Sequence, residues 1–458
     1  MWSVANKKTN GGLSSDLKNQ LIVRMKNKAV VAPRAVPAPV RERVPHFDAT
    51  LTDFSKHPDY EQIQLQTLFA DHTQMRSPYF RDHTSRAGAV SEIDDQAVVN
   101  FGSYDYLGLN HADSVGKAAQ AAIDVYGTSV SASRVVAGER EFHRDLEKQL
   151  AEVYETDDAI VYVSGHATNV STIATLLGPD DLVLHDAWAH NSVKEGAKLS
   201  GAAIRNFAHN DPEALETILK SSRHQYARVL IVIEGLYSMD GDTPDLAKFI
   251  EVKKRYQAWL MVDEAHGLGV LGETGRGIAE EQNIPFSDVD IWMGTMSKTL
   301  ASCGGYIAGC RQLIKLLKFK APGFVYSVGL SAPAAAAAME ALRLMKAEPQ
   351  RVQKLREISA FAFNAAKDAG IDTGVSEGYA VIPIMIRDAI KAVVVGEAML
   401  ERGYNMLPII YPAVPMKESR LRLFVTAEHT KDQIQGAIDA LKEEISKVSG
   451  NNTAANAS

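Results

Sequence analysis

Cysteine is nearly absent from this chain of 458 residues, which contains only Cys303 and Cys310, seven residues apart. A disulfide framework or a cysteine–histidine zinc site needs more cysteines at characteristic spacings, so the composition argues against both classes. Reduced thiols are typical of a reducing compartment. Because free cysteine is usually buried, we expect both side chains to be packed near the loop that contains residue 298.

Long apolar runs are missing as well. No stretch approaches the roughly 18 consecutive apolar residues that a membrane span needs, and no charged-then-apolar signal opens the chain. We therefore expect a cytosolic protein. The net charge of −7 gives no general reason to expect nucleic acid as a partner. Apolar content of 46% and charged content of 23% are ordinary for a globular protein, and the length allows two or three domains.

Residues 1–45 differ in charge from the rest of the chain. They contain nine Lys or Arg against Asp16 and Glu42, a net of +7, which leaves −14 for the remainder. The proline-rich stretch 31–40 predicts an extended linker, and Asp16–Lys28 could form a short basic helix. The composition favours a disordered tail. A docking segment for an acidic partner and an organelle-targeting peptide are the alternatives.

Short apolar runs alternate with helical patterns through the middle of the chain. Near-continuous apolar strands separated by helices predict an α/β fold with a mainly parallel sheet covered on both faces. Ligands of such sheets bind beyond the carboxyl ends of the strands. The runs are Asp158–Val163, Asp181–His185, Arg228–Glu234, Trp259–Asp263 and Asp290–Met293, and the residues that follow or end them include Gly165, His166, His190, Ser238, Asp263, His266 and Lys298.

The pattern changes after about residue 350. Helical patterns at Arg351–Ala369 and Ala389–Arg402 flank the apolar run Ala380–Ile386, and a strand pattern follows at Arg420–Val425. These segments predict a smaller C-terminal α+β domain. The expected division is a basic tail at 1–45, an N-terminal segment at 46–100, a large domain at 101–345, a small domain at 346–449 and a frayed end at 450–458.

Lys298 and Asp263 form the chemically most informative pair. A lysine flanked by hydroxyl side chains suits a Schiff base beside a phosphate, and an acid at a strand end suits the ring nitrogen of pyridoxal 5'-phosphate (PLP). Free N–H groups in the turn Ser164–Asn169 favour an anion. Taken singly, such a lysine is usually a solvated loop residue and a lone histidine is usually packed or at the surface. The prediction of PLP therefore depends on the whole constellation.

Several long motifs make the chain recognisable. They lie at Ser103–Gly108, Gly127–Arg134, Glu234–Asp242, Val262–Gly267 and Gly294–Lys298. In these motifs the chain resembles the α-oxoamine synthases, PLP enzymes of fold type I (aspartate aminotransferase-like) that include serine palmitoyltransferase and 8-amino-7-oxononanoate synthase. The resemblance extends from about Asn100 to Glu444. Within it, Thr299–Gly309 is most similar to serine palmitoyltransferase and to synthases of polyketide assembly lines, which implies sphingolipid or polyketide biosynthesis.

The resemblance implies a role for each candidate residue at the cofactor. Lys298 would form the Schiff base, and Asp263 would pair with the pyridinium. His266 would bond the phenolic oxygen, with Ser238 nearby, and His190 would stack on the ring. The phosphate would be held by Gly165, His166, Thr295 and Ser297.

The resemblance also implies substrate contacts. Arg422 matches the arginine that clamps the amino-acid carboxylate, for which a fork-shaped guanidinium is well suited. Arg420 is interpreted as a solvated charge at a strand edge. Asp105 stands where many members have asparagine and would lie near the incoming carboxylate. A hydroxyl reaching the neighbouring subunit's phosphate would come from Ser327 or Ser331.

The implied reaction is a decarboxylating Claisen-type condensation. An amino acid, with serine, glycine and alanine as candidates, would react with an acyl thioester of coenzyme A or an acyl carrier protein to give an α-amino ketone. The family also implies a homodimer with shared active sites. The +7 tail favours an acidic carrier as donor. The alternatives are an aminotransferase or aldol-type lyase of the same fold, and a non-catalytic partner subunit.

Overall fold

The computed structural model describes residues 49–73 and 77–454. The chain divides into two units, Met1–Phe69 and Ala70–Ser458. In the described part of the first unit, short 3₁₀ helices at Ala49–Thr52 and Phe54–Lys56 precede the start of a longer helix. All the strands described below belong to the second unit.

The described residues contain these strands: β1 (Val90–Ile93), β2 (Gln96–Asn100), β3 (Asp158–Tyr162), β4 (Leu182–Asp186), β5 (Ala203–Phe207), β6 (Val229–Glu234), β7 (Trp259–Asp263), β8 (Ile291–Thr295), β9 (Gly305–Gly309), β10 (Val381–Met385), β11 (Tyr404–Asn405), β12 (Leu407–Ile409) and β13 (Arg420–Phe424). They also contain these α-helices: α1 (Pro58–Thr73), α2 (Asp113–Tyr126), α3 (Glu141–Val153), α4 (Gly165–Leu176), α5 (Asn191–Ser200), α6 (Pro212–Ser222), α7 (Leu246–Tyr256), α8 (Ile278–Glu281), α9 (Arg311–Lys320), α10 (Pro322–Val325), α11 (Ala332–Ala347), α12 (Gln350–Asp368), α13 (Ala389–Glu401) and α14 (Lys431–Ala454).

The largest sheet has seven strands in the order β3-β9-β8-β7-β6-β4-β5. Every neighbouring pair from β8 to β5 is parallel, whereas β9 is antiparallel to both of its neighbours. Helices connect the parallel strands, as the crossover geometry requires. The mainly parallel α/β sheet predicted from the apolar runs is therefore confirmed, with all five runs forming strands.

Side chains of this sheet alternate between two apolar layers. On β4, Leu182 and Leu184 belong to one buried cluster and Val183 to the other. Because successive side chains of a strand point to opposite faces, a strand buried on both faces must be apolar throughout. This physical requirement explains why the strands were visible in the sequence as continuous apolar runs.

Strands β5 and β9 were not anticipated from the sequence. β5 has exposed side chains along most of its length because it is the edge strand, so its sequence lacks an apolar run. β9 is rich in glycine, which is uncommon in strands. A Cβ added at Gly305 would come within 2.6 Å of the Cα of Gly165, so a close backbone approach accounts for one of these glycines.

Two three-stranded sheets complete the second unit, with the orders β10-β13-β12 and β1-β2-β11. In the first, β13 is the central strand and pairs antiparallel with both neighbours. Together with α12 and α13, this sheet confirms the predicted smaller α+β layer near the carboxyl end of the chain. The domain boundary at residue 345 stays a prediction.

The predicted tail at 1–45, with its linker and basic helix, lies outside the described residues. At the other end, α14 continues to Ala454, so regular helix enters the segment 450–458 that we expected to be frayed. Among the helices that the structure describes, none is both long enough and apolar enough to cross a membrane.

The cysteines are not packed as expected. Cys303 and Cys310 are both exposed free thiols, so the expectation of buried side chains is wrong. Cys303 lies in the loop between β8 and β9, and Cys310 directly precedes α9. Loops at the ends of strands run over the protein surface, which explains the exposure.

Candidate active site

The carboxyl end of the seven-stranded sheet gathers the residues singled out in the sequence. Asp263, the last residue of β7, is in register with Glu234 on β6 and with Met293 on β8. Parallel strands bring their carboxyl ends to one edge, so the following loops converge there. The end of β8 contributes Thr295, and these loops and helix starts contain Gly165, His166, His190, Ser238, His266, Ser297 and Lys298.

Lys298 follows β8 and is half-buried. Its Nζ lies 5.7 Å from the centre of the Tyr104 ring. Burial lowers the pKa of Lys298 to about 8, with Arg422 acting in the same direction and the acids Asp263 and Glu234 opposing it. Among the described residues, no carboxylate lies within ion-pair distance of this amine. A lysine with a depressed pKa and no salt bridge is available as a nucleophile and as a base.

Asp263 is a buried carboxylate held by neutral donors. Its Oδ2 accepts a hydrogen bond of 2.9 Å from Asn169 Nδ2, and its Oδ1 accepts one of 3.0 Å from the backbone N–H of Ala265. No lysine or arginine in the described part of the chain forms an ion pair with it. Because a buried anion without a counter-ion is costly, this carboxylate would be stabilised by a cationic N–H such as a pyridinium.

Glu234 lies beside Asp263 and connects two loops of the site. Its Oε1 accepts from the backbone N–H of His190 at 2.8 Å, and its Oε2 accepts from the N–H of Ser238 at 3.1 Å. Burial, followed by the repulsion of Asp263, raises the pKa of Glu234 to about 8. The carboxyl group of Glu234 is therefore largely protonated at neutral pH, because two adjacent buried carboxylates cannot both ionise readily.

His190 directly precedes α5 and caps its first turn. Its Nδ1 lies 2.7 Å from Ser192 Oγ and accepts from the N–H of Ser192 at 3.3 Å. The ring is exposed, and it lies 6.4 Å from the ring of His166 in an edge-to-face arrangement. The protein around the imidazole still removes part of its water, and this partial desolvation lowers the pKa of His190. A neutral ring held at one edge has a free face for stacking.

His266 is buried against aromatic side chains. Its Nδ1 lies 2.6 Å from the hydroxyl of Tyr106, and its ring stacks on Phe424 with a centroid distance of 6.0 Å. Burial lowers the pKa of His266 and raises the pKa of Tyr106. The tyrosine therefore keeps its proton, and in the tautomer in which its hydroxyl donates to Nδ1 the imidazole proton lies on Nε2 as a donor.

Thr295, Ser297 and the start of α4 form a cradle for an anion. Thr295 Oγ1 lies 2.8 Å from Ser297 Oγ. A Cβ added at Gly165 would come within 2.8 Å of Thr295 Oγ1, so only glycine allows the helix start to approach this hydroxyl. His166, in the first turn of α4, is exposed. The free N–H groups and the dipole of a helix N-terminus favour a phosphate at such a place.

Arg422 on β13 reaches towards the same site. Its Nη1 donates to the carbonyl of Ser238 at 2.8 Å, and its Nη2 lies 3.5 Å from the hydroxyl of Tyr104. Its Nε is buried without a hydrogen-bond partner. No acidic side chain among the described residues pairs with this guanidinium. A buried arginine without a carboxylate is prepared to bind one.

Arg420 is not the solvated charge that we expected. It is 1% exposed because β13 is the central strand of its sheet. Its guanidinium pairs with Asp240 and, at 3.1 Å, with Glu418. Since a buried cation requires partners, this arginine attaches β13 to the loop that follows β6.

Asp105 is buried and bonded to nearby backbone. Its carboxylate accepts backbone hydrogen bonds from Leu109 at 2.9 Å and from Asn110 at 3.2 Å. The charged groups that affect it are His111 and Glu428, and burial raises its pKa to about 6. The side chain is therefore engaged with its own turn, because an Asx side chain readily satisfies nearby N–H groups, and its contact with the substrate stays a prediction.

Asn169, Ser192 and Glu234 were not assigned roles from the sequence. Asn169 lies five residues after the N-cap Ser164, so one helical turn and a half brings it to Asp263. Glu234 stood in a recognised motif, and a lone acid at the end of an apolar strand was a usable signal. No signal in the sequence indicated a role for Ser192, because its contact with Asn169 joins two different helices.

These features fit PLP. Within the described ranges the lysine has no ion-pair partner and the buried carboxylate has no counter-ion, and a glycine lies in the cradle at the helix N-terminus. These three features meet the amine, ring-nitrogen and phosphate requirements of PLP. Lys298, Asp263 and the Gly165–Thr295 cradle would hold the respective groups. On a mainly parallel sheet with this strand order, the arrangement defines a PLP enzyme of fold type I.

Comparison with known proteins narrows the class. The family model described as "Aminotransferase class I and II" matches residues 96–441. A putative 8-amino-7-oxononanoate synthase of Rippkaea orientalis is 38% identical over 79% of this chain and 93% of that protein. A serine palmitoyltransferase of Bacteroides thetaiotaomicron is 35% identical over 80% of this chain and 92% of that protein. The solved structure of Sphingomonas wittichii serine palmitoyltransferase has a TM-score of 0.81 at 28% identity, covering 84% of this chain and 97% of that one.

The chain thus belongs to the α-oxoamine synthase family of PLP-dependent acyltransferases. It is an enzyme of the kind that condenses an amino acid with an acyl thioester. Relatives with either of the two names match at similar identity, 38% and 35%, so identity alone does not separate the two activities.

Proposed function

We propose that this enzyme condenses serine, glycine or alanine with an acyl thioester and releases carbon dioxide, a thiol and an α-amino ketone. The observation that carries the proposal is the buried guanidinium of Arg422, which has no acidic partner among the described residues and has an unpartnered Nε. An α-carboxylate would satisfy it. The name of one relative, serine palmitoyltransferase, supports serine in particular.

Arg422 would bind the carboxylate and Lys298 would remove the proton from Cα. With a pKa lowered to about 8, an appreciable fraction of this lysine is the free amine near neutral pH. PLP, when bound, supplies the electron sink for the negative charge that develops on Cα. His190 would lie against the ring face and limit how the amino acid is oriented.

In the condensation, the Cα electron pair attacks the thioester carbonyl carbon, the new carbon–carbon bond forms and the thiolate leaves, taking a proton from solvent to become the thiol. The carboxylate then departs as carbon dioxide and leaves the electron pair of the broken bond on Cα. The conjugate acid of Lys298 returns its proton to Cα, which regenerates the free amine.

The acyl donor is proposed to be linked to a carrier protein. Residues 1–45 have a net charge of +7, and acyl carrier proteins would need to be acidic to complement it. Coenzyme A is the other donor. A variant without residues 1–45 should lose apparent affinity for an acyl carrier and keep its affinity for the matched acyl coenzyme A. Unchanged affinity for both would remove the argument. A cytosolic location stays a prediction.

A homodimer with shared active sites is proposed as well. Apolar side chains are exposed at the adjacent Val135 and Val136, and also at Tyr326 and Val328 on either side of Ser327. The backbone N–H of Gly329 bonds to the carbonyl of Ala132 at 3.1 Å, so these two segments are neighbours. Ser327, within the second segment, and Ser331, two residues after Gly329, are the candidates for a hydroxyl that reaches the other subunit.

The test measures product and free thiol from purified enzyme with PLP, each amino acid and a series of acyl thioesters. Thiol release that depends on one amino acid, with carbon dioxide in equal amount, is expected. Lys298→Ala should abolish turnover, whereas Lys315→Ala, an exposed lysine on α9, should leave it unchanged. Full turnover in Lys298→Ala would overturn the proposal, and amino-group transfer without thiol release would point to an aminotransferase.

A further inference from the structure

A continuous chain of hydrogen bonds connects Asp263 to His190. Asn169 Nδ2 lies 2.9 Å from Asp263 Oδ2 and 3.0 Å from Ser192 Oγ, and Ser192 Oγ lies 2.7 Å from His190 Nδ1. Asn169 is 1% exposed and Ser192 is fully buried, whereas His190 is exposed. Two buried residues from different helices, α4 and α5, thus link the acid of the site to its exposed ring.

The direction of each hydrogen bond follows from the carboxylate. Asp263 can only accept, so the amide of Asn169 must present its NH₂ group to it. The second N–H of that group then points to Ser192 Oγ, which accepts. Because the serine oxygen accepts from Asn169, its own hydrogen is free to donate to His190 Nδ1. The backbone N–H of Ser192 is directed at the same nitrogen, at 3.3 Å.

Two donors on one imidazole nitrogen leave no place for a proton there. We propose that Asn169 and Ser192 are positioning residues that hold His190 as the neutral tautomer with its proton on Nε2. Partial desolvation by the surrounding protein favours the neutral ring and lowers the pKa of His190. The charge of Asp263 opposes this effect, whereas Lys298 and His166 act with it.

The tautomer decides what His190 can do. With Nδ1 occupied as an acceptor and Nε2 protonated, neither nitrogen can take a proton from a substrate. The ring can still donate one hydrogen bond from Nε2 and offer its face. Of Lys298 and His190, only Lys298 can then act as a base. This consequence rests on the proposed function, whereas the assignment of the tautomer does not.

The tautomer can be measured directly. In holoenzyme labelled with ¹⁵N-histidine, the two ring nitrogens of His190 are assigned by comparison with His190→Gln, and long-range correlations then show which nitrogen is protonated. We expect an unprotonated Nδ1 and a protonated Nε2 across neutral pH. A proton on Nδ1, or a cationic ring at neutral pH, would overturn the proposal whether or not the enzyme makes an amino ketone.

Two variants test the positioning residues. Ser192→Ala removes the hydroxyl donor, and Asn169→Asp places a second acid against Asp263. We expect mixed tautomers and a higher titration midpoint for His190 in both, with kcat lowered about tenfold in Ser192→Ala and KM little changed. Ser171→Ala is the matched control, because it is a buried serine on α4 whose Oγ accepts only from the distant Gly323 N–H.

The outcomes separate positioning from folding. Ser171→Ala should lose comparable stability in thermal unfolding and leave the nitrogens of His190 unchanged. If Ser192→Ala also leaves the nitrogen pattern and the titration midpoint as in the wild type, Ser192 does not set the tautomer and the proposal fails. Should Asn169→Asp not fold, the wild-type spectrum and Ser192→Ala still decide the question.

Discussion

Arg420 and Arg422 lie two residues apart on one strand, with their side chains on the same face, and yet they serve different purposes. Arg420 is neutralised by Asp240 and Glu418. Arg422 contacts a carbonyl, a thioether and a phenol, and no carboxylate of the described residues pairs with it. Whether an arginine is available to bind a ligand therefore depends on the groups around its guanidinium and not on the residue type.

Replacing Arg422 should mainly weaken amino-acid binding. We expect Arg422→Lys to raise KM for the amino acid about tenfold, and Arg422→Ala about a hundredfold, because charge-assisted hydrogen bonds contribute roughly 1.5–3 kcal/mol each. KM for the thioester should change little. Steady-state kinetics with each substrate varied in turn measures the effect.

Arg387→Lys is the control for charge, since this arginine is exposed and pairs with Asp372 at 2.8 Å. It should leave all constants unchanged. Unaltered KM for the amino acid in Arg422→Ala would show that the carboxylate binds elsewhere.

At the scale of elements, His209 joins two of the loops that form the site. Its Nδ1 lies 2.9 Å from Asp186, which ends β4, and its Nε2 lies 2.8 Å from Asp242, in the loop after β6. Trp188 stacks on the ring at 3.7 Å. The loop after β4 also contains His190, and the loop after β6 also contains Ser238, whose carbonyl accepts a hydrogen bond from Arg422. The charged side chain of His209 therefore connects these two loops of the site.

The ion pairs of His209 make stability depend on pH. Hydrogen bonds and charges from the two aspartates outweigh burial and raise the pKa of His209 from 6.5 to about 9. This stabilisation is fully present below pH 6.5 and is lost as pH rises through 9, and it amounts to about 3 kcal/mol. The free energy of unfolding of the wild type should thus fall towards that of His209→Gln between pH 6.5 and 9.

Denaturant unfolding of both proteins at several pH values measures this difference. His224→Gln, at an exposed histidine, should track the wild type at each pH. A difference between wild type and His209→Gln that stays constant from pH 6 to pH 9 would contradict the assignment of a charged imidazole.

The loop after β6 also packs tightly against β10. Gly241 has a φ of +71°, and a Cβ there would come within 1.9 Å of the carbonyl oxygen of Val381. Gly370 has a similar φ of +76° with open space around it. We expect Gly241→Ala to cost roughly 3 kcal/mol or more and Gly370→Ala about 1 kcal/mol, because only the former adds a backbone clash to the strain.

Thermal or denaturant unfolding of the two variants gives the comparison. The matched φ values cancel the conformational penalty, so the excess cost of Gly241→Ala reports the contact between the loop and β10. An equal loss of unfolding free energy in the two variants would mean that the loop after β6 can move away from β10 without destabilising the protein.

For the whole molecule, the exposed apolar segments favour self-association. Val136 is 83% exposed and Tyr326 is 86% exposed, and the hydrogen bond between Gly329 and Ala132 makes their two segments neighbours. Together they form an apolar surface of the kind that a second chain covers. We expect the wild type to sediment with twice the mass of one chain and Val136→Lys to sediment with the mass of one chain and lose activity on dilution.

Val375→Lys is the control, because Val375 is also an exposed valine, at 53%, but lies in the loop before β10. It should remain associated. A wild type that sediments as a single chain at micromolar concentration would remove the proposal of shared sites.

The sequence by itself determined the sheet and the main reactive groups. Strands buried on both faces must be continuously apolar, so β3, β4, β6, β7 and β8 were visible, and the residues after their carboxyl ends converge for topological reasons. Lys298 and Asp263 followed from this rule together with the chemistry of PLP. The edge strand β5 and the glycine-rich strand β9 lack a continuous apolar run, so the sequence did not predict them.

Only the tertiary structure decided which polar groups are engaged. The local sequence around Arg420 does not show that this arginine is buried in ion pairs while Arg422 is not. It also does not show that Asp105 accepts hydrogen bonds from its own turn. The contacts of Asn169 with Asp263 and Ser192 join residues 94 and 23 positions apart. A local pattern reports burial and periodicity, whereas hydrogen-bond partners across the fold depend on where distant elements meet.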